Sequence, residues 1–301
     1  MTKMNQVLLA DYKKSNKVRR AKLVTKLGFA SEQEYLDHLE GKTTPPVVES
    51  VADENEGMLD QVICFDTTGS MATYIGAVRK HVSELIPKLF ADNKNLRLKI
   101  VAFGDYCDVP GFSQYSKTMT LPSDLGKAYQ VCELTNDQNK LIKFVRDAQN
   151  TTGGDGDEFY ELVIKKVVEE TSWRPEARKA VLLIADCQPH DVKSIYYGQG
   201  KMTPIDWKVE AKKSAEKGIA WDTMTVMPNW VAQFYKPLSD MTGGICIPFK
   251  SSEKTQHIVA AATAARGGER ARTAFTAGAS AAMTSGDEEL IGSYKSLSKL
   301  L

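Results

Sequence analysis

The residues best suited to chemistry are Asp66-Thr67-Thr68-Gly69-Ser70, directly after the apolar run Gln61 to Phe65. A carboxylate and two hydroxyls at alternate positions, at the mouth of a strand, can face one hard cation. Two further loops carry related groups. One is Thr151-Thr-Gly-Gly-Asp155-Gly-Asp157-Glu158, and the other is Asp186 with Cys187-Gln-Pro-His190 behind it. Glycines in the second loop let backbone approach a ligand, and its acids gain from the helix N-terminus that follows. Oxygen donors without imidazole or thiolate favour Mg²⁺, with Mn²⁺ next and Ca²⁺ less well matched. The candidate ligands are therefore Asp66, Thr68, Ser70, Asp155, Asp157 and Asp186, with Asp155 and Asp157 ranked together. Taken alone, Asp66 reads equally well as a helix N-cap, and Asp186 as a turn former or a catalytic carboxylate. The three loops together favour a cation site. Such a site retains waters, and a carboxylate from a protein partner can replace one of them.

These loops need a scaffold that brings them to one edge. From residue 60 the pattern alternates strand and helix. Strands are expected over 61–65, 96–103, 129–133, 180–185, 219–226 and 245–249, with a short edge strand at 114–120. Helices are expected over 72–90, 138–148 (capped by Asn136), 158–170, 206–217 and 230–241, the last stopped by Gly243-Gly244. Near-continuous apolar strands separated by helices predict an α/β fold with a doubly wound, mostly parallel sheet covered on both faces. Ligands in such sheets bind at the carboxyl ends of the strands.

The flanks differ. Residues 1–48 read as a small N-terminal helical extension. A short helix near 21–28 would stop at Gly28, and a capping box joins Ser31 and Glu34. Thr43-Thr-Pro-Pro then breaks the chain, and a polar link runs from about 49 to 59. The main domain spans 58–250. Residues 251–301 are an alanine-rich helical or flexible tail, in which 273–287 is expected to be weak, mobile or ordered only by a partner.

Composition excludes several classes. The 301 residues hold 39 Lys+Arg against 38 Asp+Glu, so no global field attracts nucleic acid or anionic membrane. The basic stretch Lys13 to Arg20 reads as a solvated helix face. No run of eighteen apolar residues appears, and the first twenty residues lack an apolar h-region, so neither a membrane span nor a signal peptide is expected. Five scattered cysteines, with no CxxC pattern and no Cys/His cluster, fit free thiols in a reducing, cytoplasmic setting.

At this point the chain resembles a family. Asp66-Thr-Thr68-Gly-Ser70, with Ile63-Cys-Phe65 before it and Met71 after, is similar to the Asp-x-Ser/Thr-x-Ser signature of the von Willebrand factor type A (vWA) domain. Asp155 falls where that family places a threonine, and Asp186 matches its third-loop aspartate. The Gly-Gly-Asp-Gly-Asp-Glu loop and Ala185 to His190 resemble the intracellular vWA domains related to those beside α-kinases. So do Phe103-Gly-Asp105-Tyr-Cys-Asp108 and Leu238 to Gly244. The resemblance covers about residues 58 to 250. It implies a Rossmann-like vWA fold, a metal-ion-dependent adhesion site (MIDAS) and protein binding without catalysis. Asp155 in place of threonine implies a more negative site.

Two alternatives remain open. A Mg²⁺-dependent phosphohydrolase would use a nucleophilic aspartate at 66, but position 68 carries threonine where a second acid is needed. A structural subunit would bind through its termini. Tyr74, Tyr106, Tyr196, Tyr197 and Trp230 are candidate recognition aromatics. The stretch Tyr196 to Gly200 is expected to be an exposed specificity loop, and His190 to pack or cap.

Overall fold

The computed structural model describes residues 24, 31–40, 57–112, 121–154, 156–194, 196–197 and 202–301. The chain divides into two units, Met1–Glu54 and Asn55–Leu301. In the first, helix α1 (Glu32–Leu39) begins where the Ser31 hydroxyl accepts from the Glu34 amide at 3.1 Å. The expected helix at 21–28 and the Pro-Pro break lie outside the described residues, apart from Val24.

In the second unit, β1 (Leu59–Asp66), β2 (Leu96–Phe103), β5 (Arg178–Ala185), β7 (Ile219–Thr225) and β8 (Cys246–Pro248) run parallel. The edge strand β3 (Tyr129–Thr135) pairs antiparallel with β2. The strand order is β3-β2-β1-β5-β7-β8. The expected doubly wound, mostly parallel sheet is what the chain forms. Alternation within each strand sends side chains to opposite faces. Leu59, Ile63 and Phe65 join one core, and Val62 and Cys64 the other. The first core lies under α2 (Ala72–Asp92) and α3 (Gln138–Asp147). The second lies under α4 (Tyr160–Glu170), α5 (Trp207–Glu216) and α6 (Lys236–Thr242).

Several local expectations need correction. Asp137, not Asn136, caps α3, its carboxylate accepting from the Lys140 amide at 3.1 Å. Helix α4 starts at Tyr160 because Asp157–Glu158 (β4) pairs in parallel with Gln188–Pro189 (β6). The expected helix over 230–241 is interrupted: a π-helical turn, Val231–Tyr235, precedes α6. The proposed strand at 114–120 lies outside the described residues.

The stretch expected to be weak or mobile is helical. Helices α7 (Thr255–Arg266), α8 (Glu269–Ser285) and α9 (Glu288–Leu297) complete the first face, with Ile258, Val259, Ala262, Phe275 and Leu297 buried in its core. Small residues give these helices close contact rather than disorder. Gly267 marks the tightest approach, since an added Cβ would stand 1.9 Å from Asn93 Oδ1. Arg266 at the end of α7 donates in bidentate fashion to the buried carboxylate of Asp222 in β7, at 2.9 and 2.6 Å. Arg178 donates to the terminal carbonyls of Arg266 and Gly267, groups a helix end leaves unpaired.

If α7 is part of the core, Ile258→Ala should cost about 2–4 kcal/mol of unfolding free energy, as a buried aliphatic truncation does. Urea unfolding measures this. A cost under about 0.5 kcal/mol, the range of surface substitutions, would return the segment to a loose tail.

Candidate functional site

Strands β1 and β5 are neighbours, so Asp66 at the end of β1 and Asp186 just beyond β5 reach the same edge. Both are buried. Asp66 Oδ1 accepts from the Thr68 amide at 2.8 Å and the Thr68 hydroxyl at 2.6 Å. Its Oδ2 accepts from the Tyr160 hydroxyl at 2.6 Å. The Thr68 and Ser70 hydroxyl oxygens stand 3.4 Å apart. Burial pushes the Asp66 carboxyl up to about 7; the hydrogen bonds oppose this, and the charge of Asp186 adds to it. Asp186 Oδ1 is buried with no hydrogen-bond partner.

Tyr160 is the residue that sequence reasoning missed. Its hydroxyl donates to Asp66 and accepts from the Cys187 amide at 3.1 Å, so it joins the first and third loops. Burial, with the charge of Asp66 adding, raises its pKa well above the ordinary value and keeps the hydroxyl a donor. Tyr235, in the π-helical turn, donates to the Cys187 carbonyl at 2.6 Å. Neither tyrosine carries a local signal of its role, because the partners lie 94 and 48 residues away.

The second loop is fastened separately. The Thr67 hydroxyl donates to the Phe103 carbonyl at 2.7 Å and lies 2.9 Å from the Thr151 hydroxyl. The Thr151 amide donates to the Thr67 carbonyl at 3.0 Å. Asp108 accepts from the Thr152 and Gly153 amides at 2.9 and 3.1 Å. Burial alone would raise the Asp108 carboxyl, but these donors outweigh it and hold it below its ordinary value. Gly153 has φ +67°, and an added Cβ would stand 2.7 Å from Glu158 Oε1 and 3.4 Å from the Thr68 methyl. The first and second loops therefore touch.

Thr68 thus links Asp66 and Ser70, and Asp186 acts on Asp66 through its charge at the same edge. Asp157 accepts from the Gln188 side chain at 2.8 Å, within the β4–β6 pair. Asp155 lies outside the described residues. Among the described residues no group of three or more His, Cys, Asp or Glu converges as a ready metal-ligand shell. The donor set nonetheless fits a divalent cation. It has two buried carboxylates, one of them with an oxygen lacking any hydrogen-bond partner, and two adjacent hydroxyls. The remaining positions would fall to water or to the second loop.

The recognition aromatics expected from sequence are mostly interior. Tyr106, Tyr196 and Tyr197 are 0%, 1% and 6% exposed, so the start of the expected specificity loop is core. Its remainder, 198–200, lies outside the described residues. Tyr74 donates to the Lys250 carbonyl at 3.0 Å. The three buried tyrosines surround a polar clasp. The fully buried Glu161 accepts from the Tyr106 hydroxyl at 2.8 Å, from the Tyr197 hydroxyl, and from the His190 amide at 3.1 Å. The His190 ring nitrogen Nε2 lies 2.7 Å from Asp105 Oδ1. Four segments meet there: the β2 loop, α4, the third loop and the 196–197 stretch. Nothing nearby in the sequence signals the partners of Glu161, which lie 29 to 55 residues away.

Comparison with known proteins leaves the family open: no family model matches the chain, and no curated protein does. Among solved structures the chain is similar to a von Willebrand factor type A protein from Catenulispora acidiphila, at 14% identity and a TM-score of 0.45. That likeness covers 67% of this chain and 41% of the other. It is also similar to the SpRpn10 VWA domain, at 14% identity and a TM-score of 0.43, over 67% of this chain and 94% of the other. A third similar structure is the pilus adhesin SpaC from Lactobacillus rhamnosus GG in its open conformation. Identity there is 13% and the TM-score 0.46, over 67% of this chain and 29% of that one. This chain thus spans less than half of the first and third of these proteins. The likeness is one of overall fold.

Burial pushes the Glu161 carboxyl up from 4.5 to about 7, while the charge of His190 and the tyrosine hydrogen bonds oppose the rise. Below pH 4.5 both folded and unfolded chains hold this proton, and the contribution to stability is complete. As pH rises through 7 it is lost, because the unfolded chain releases the proton first. Between pH 5 and 8 the wild type should therefore lose stability relative to Glu161→Gln. The full difference is on the order of 3 kcal/mol. Urea midpoints followed by tryptophan fluorescence test this, and parallel pH profiles for the two proteins would refute it.

Proposed function

We propose that this chain is a metal-dependent protein-binding module centred on Asp66, Thr68, Ser70 and Asp186. The observation that carries the reading is the pair of buried carboxylates at the sheet's ligand edge, with Asp186 Oδ1 left without a hydrogen-bond partner. The charge of Asp186 raises the cost of ionising Asp66, and a divalent cation would relieve it. Mg²⁺ suits the hard oxygen donors best. Asp155 or Asp157 from the second loop would add charge. Bound there, the ion supplies a Lewis-acidic contact for a partner's carboxylate.

The chain's own residues prepare that contact. Tyr160 and Thr68 orient Asp66, Tyr235 and Tyr160 hold the backbone at Cys187, and Thr67 and Thr151 close the gap between loops. Thr68 stands where a phosphohydrolase needs its proton-transferring acid, which favours binding over hydrolysis. Near-zero net charge supports a protein partner over nucleic acid. Among the described residues no helix is long and apolar enough to cross a membrane. All five cysteines are free thiols, which supports work in the reducing cytoplasm.

Calorimetric titration should show Mg²⁺ binding to the wild type and none to Asp186→Ala. At a hundredfold excess over Kd the ion should stabilise the wild type by about 2.7 kcal/mol. In EDTA the order should invert, with Asp186→Ala at least as stable as the wild type, because a buried charge has been removed. A variant that is less stable than the wild type in EDTA and still binds Mg²⁺ would remove the basis for the proposal.

A further inference from the structure

Two of the chain's four histidines line one groove. It is a recess of about 100 Å³ between α2 and α7, bordered by His81, Glu84 and Lys88 on the first helix and by Gln256, His257 and Ala260 on the second. The sheet sets the level of the two helices. Strands β1 and β8 both belong to its parallel set, so the helices that follow them run back in the same direction. Near the start of α2 the Tyr74 hydroxyl reaches the Lys250 carbonyl, 176 positions on. At the far end an added Cβ on Gly267 would meet Asn93, at nearly the same offset. His81 and His257 are also 176 positions apart, so the two imidazoles sit at one level on neighbouring helices. Packed helices stand about 8–10 Å apart, axis to axis. Two imidazoles can span that gap with one ion between them, each nitrogen about 2.0–2.1 Å from it.

The groove holds further donors. Glu84 lies one turn from His81 on the same helix face, its Oε2 3.9 Å from His81 Nδ1. Its side chain is 87% exposed, so packing does not fix its rotamer. Gln256 Oε1 is buried with no hydrogen-bond partner, an acceptor that a metal-bound water would satisfy. The ammonium among the lining residues, on Lys88, is paired with Asp92 at 2.9 Å. As the side chains stand, no three His, Cys, Asp or Glu converge among the described residues. The shell would close by rotation of His257 and Glu84, both exposed.

Imidazole with carboxylate is a different donor chemistry from the oxygens around Asp66. It suits Zn²⁺ and its transition-metal neighbours rather than Mg²⁺. We propose that His81, His257 and Glu84 form a second metal site, selective for Zn²⁺ over Mg²⁺, that bridges α2 and α7 with water in the fourth position. Its effect is mechanical. Helix α2 follows directly on the first loop, α7 covers the first core, and the ion ties one to the other. At 1.5 Å per residue, His81 lies about 13 Å along α2 from its first residue, so the two sites share no ligand. The second site therefore stands independently of the function proposed above.

The test is calorimetric titration of the full chain with Zn²⁺ in excess Mg²⁺. The wild type and Asp186→Ala should bind one Zn²⁺ alike. His81→Ala and His257→Ala sit at partly or fully exposed helical positions, where alanine favours the helix, so both variants should keep the fold. Each should weaken Zn²⁺ binding by about tenfold or more, and Glu84→Gln by less. Co²⁺ in place of Zn²⁺ should give d–d absorption without a sulfur-to-metal charge-transfer band, which separates this site from the free thiols. Zn²⁺ binding that is undiminished in the His81→Ala/His257→Ala double variant, or lost in Asp186→Ala, would overturn the site. So would a sulfur band with Co²⁺, or no Zn²⁺ bound to the wild type. Each of these outcomes leaves Mg²⁺ binding at Asp66 to be decided by its own titration.

Discussion

A carboxylate buried at the end of a parallel strand is the constraint from which the rest of this structure follows. Asp66 has no exposure to solvent, and an ionised carboxylate there is costly unless donors surround it. Three hydrogen bonds do so, from the Thr68 amide, the Thr68 hydroxyl and the Tyr160 hydroxyl. The need to keep Tyr160 in place couples α4 to β1. The same hydroxyl accepts from Cys187 and couples both to the loop after β5. One phenol thus sets the separation of the two acidic loops.

The same edge is fastened by other hydrogen bonds as well. The clasp around Glu161 draws together segments far apart in sequence, and each of its oxygens accepts from a fixed donor. Asp108 does the same for Thr152 and Gly153. Buried networks of this kind are strong when complete, because the alternative is an unsatisfied polar group in a low dielectric. The described parts of these loops are consequently held by hydrogen bonds within the chain.

The opposite side of the sheet solves a different problem. A parallel sheet must be covered on both faces, and α2 and α3 do not complete the first face. The alanine-rich helices α7 to α9 do, with Phe275 and Leu297 buried beside the aliphatics of α2. Arg266 and Arg178 secure the joint between α7 and α8, satisfying a buried aspartate and two helix-end carbonyls. The small residues that suggested weakness in isolation are what let three helices approach one another closely.

How much was legible follows from the range of each interaction. Apolar runs such as Val62 to Phe65 and Leu182 to Ala185 determined the strands, because period and burial are local properties of the chain. The motif Asp66-Thr-Thr68-Gly-Ser70 determined its own turn, because the Thr68 amide and hydroxyl reach Asp66 across two residues. Asp186 was legible too, as the first polar residue after an apolar strand. Tertiary structure alone decided that Tyr160 joins the two loops, that Tyr197 faces inward onto Glu161 and Tyr196 onto His190, and that 273–285 is helix. Each of these depends on a partner 27 or more residues away, or on a surface that exists only once the sheet has formed. Local patterns record what a residue can do, and only packing chooses its partner.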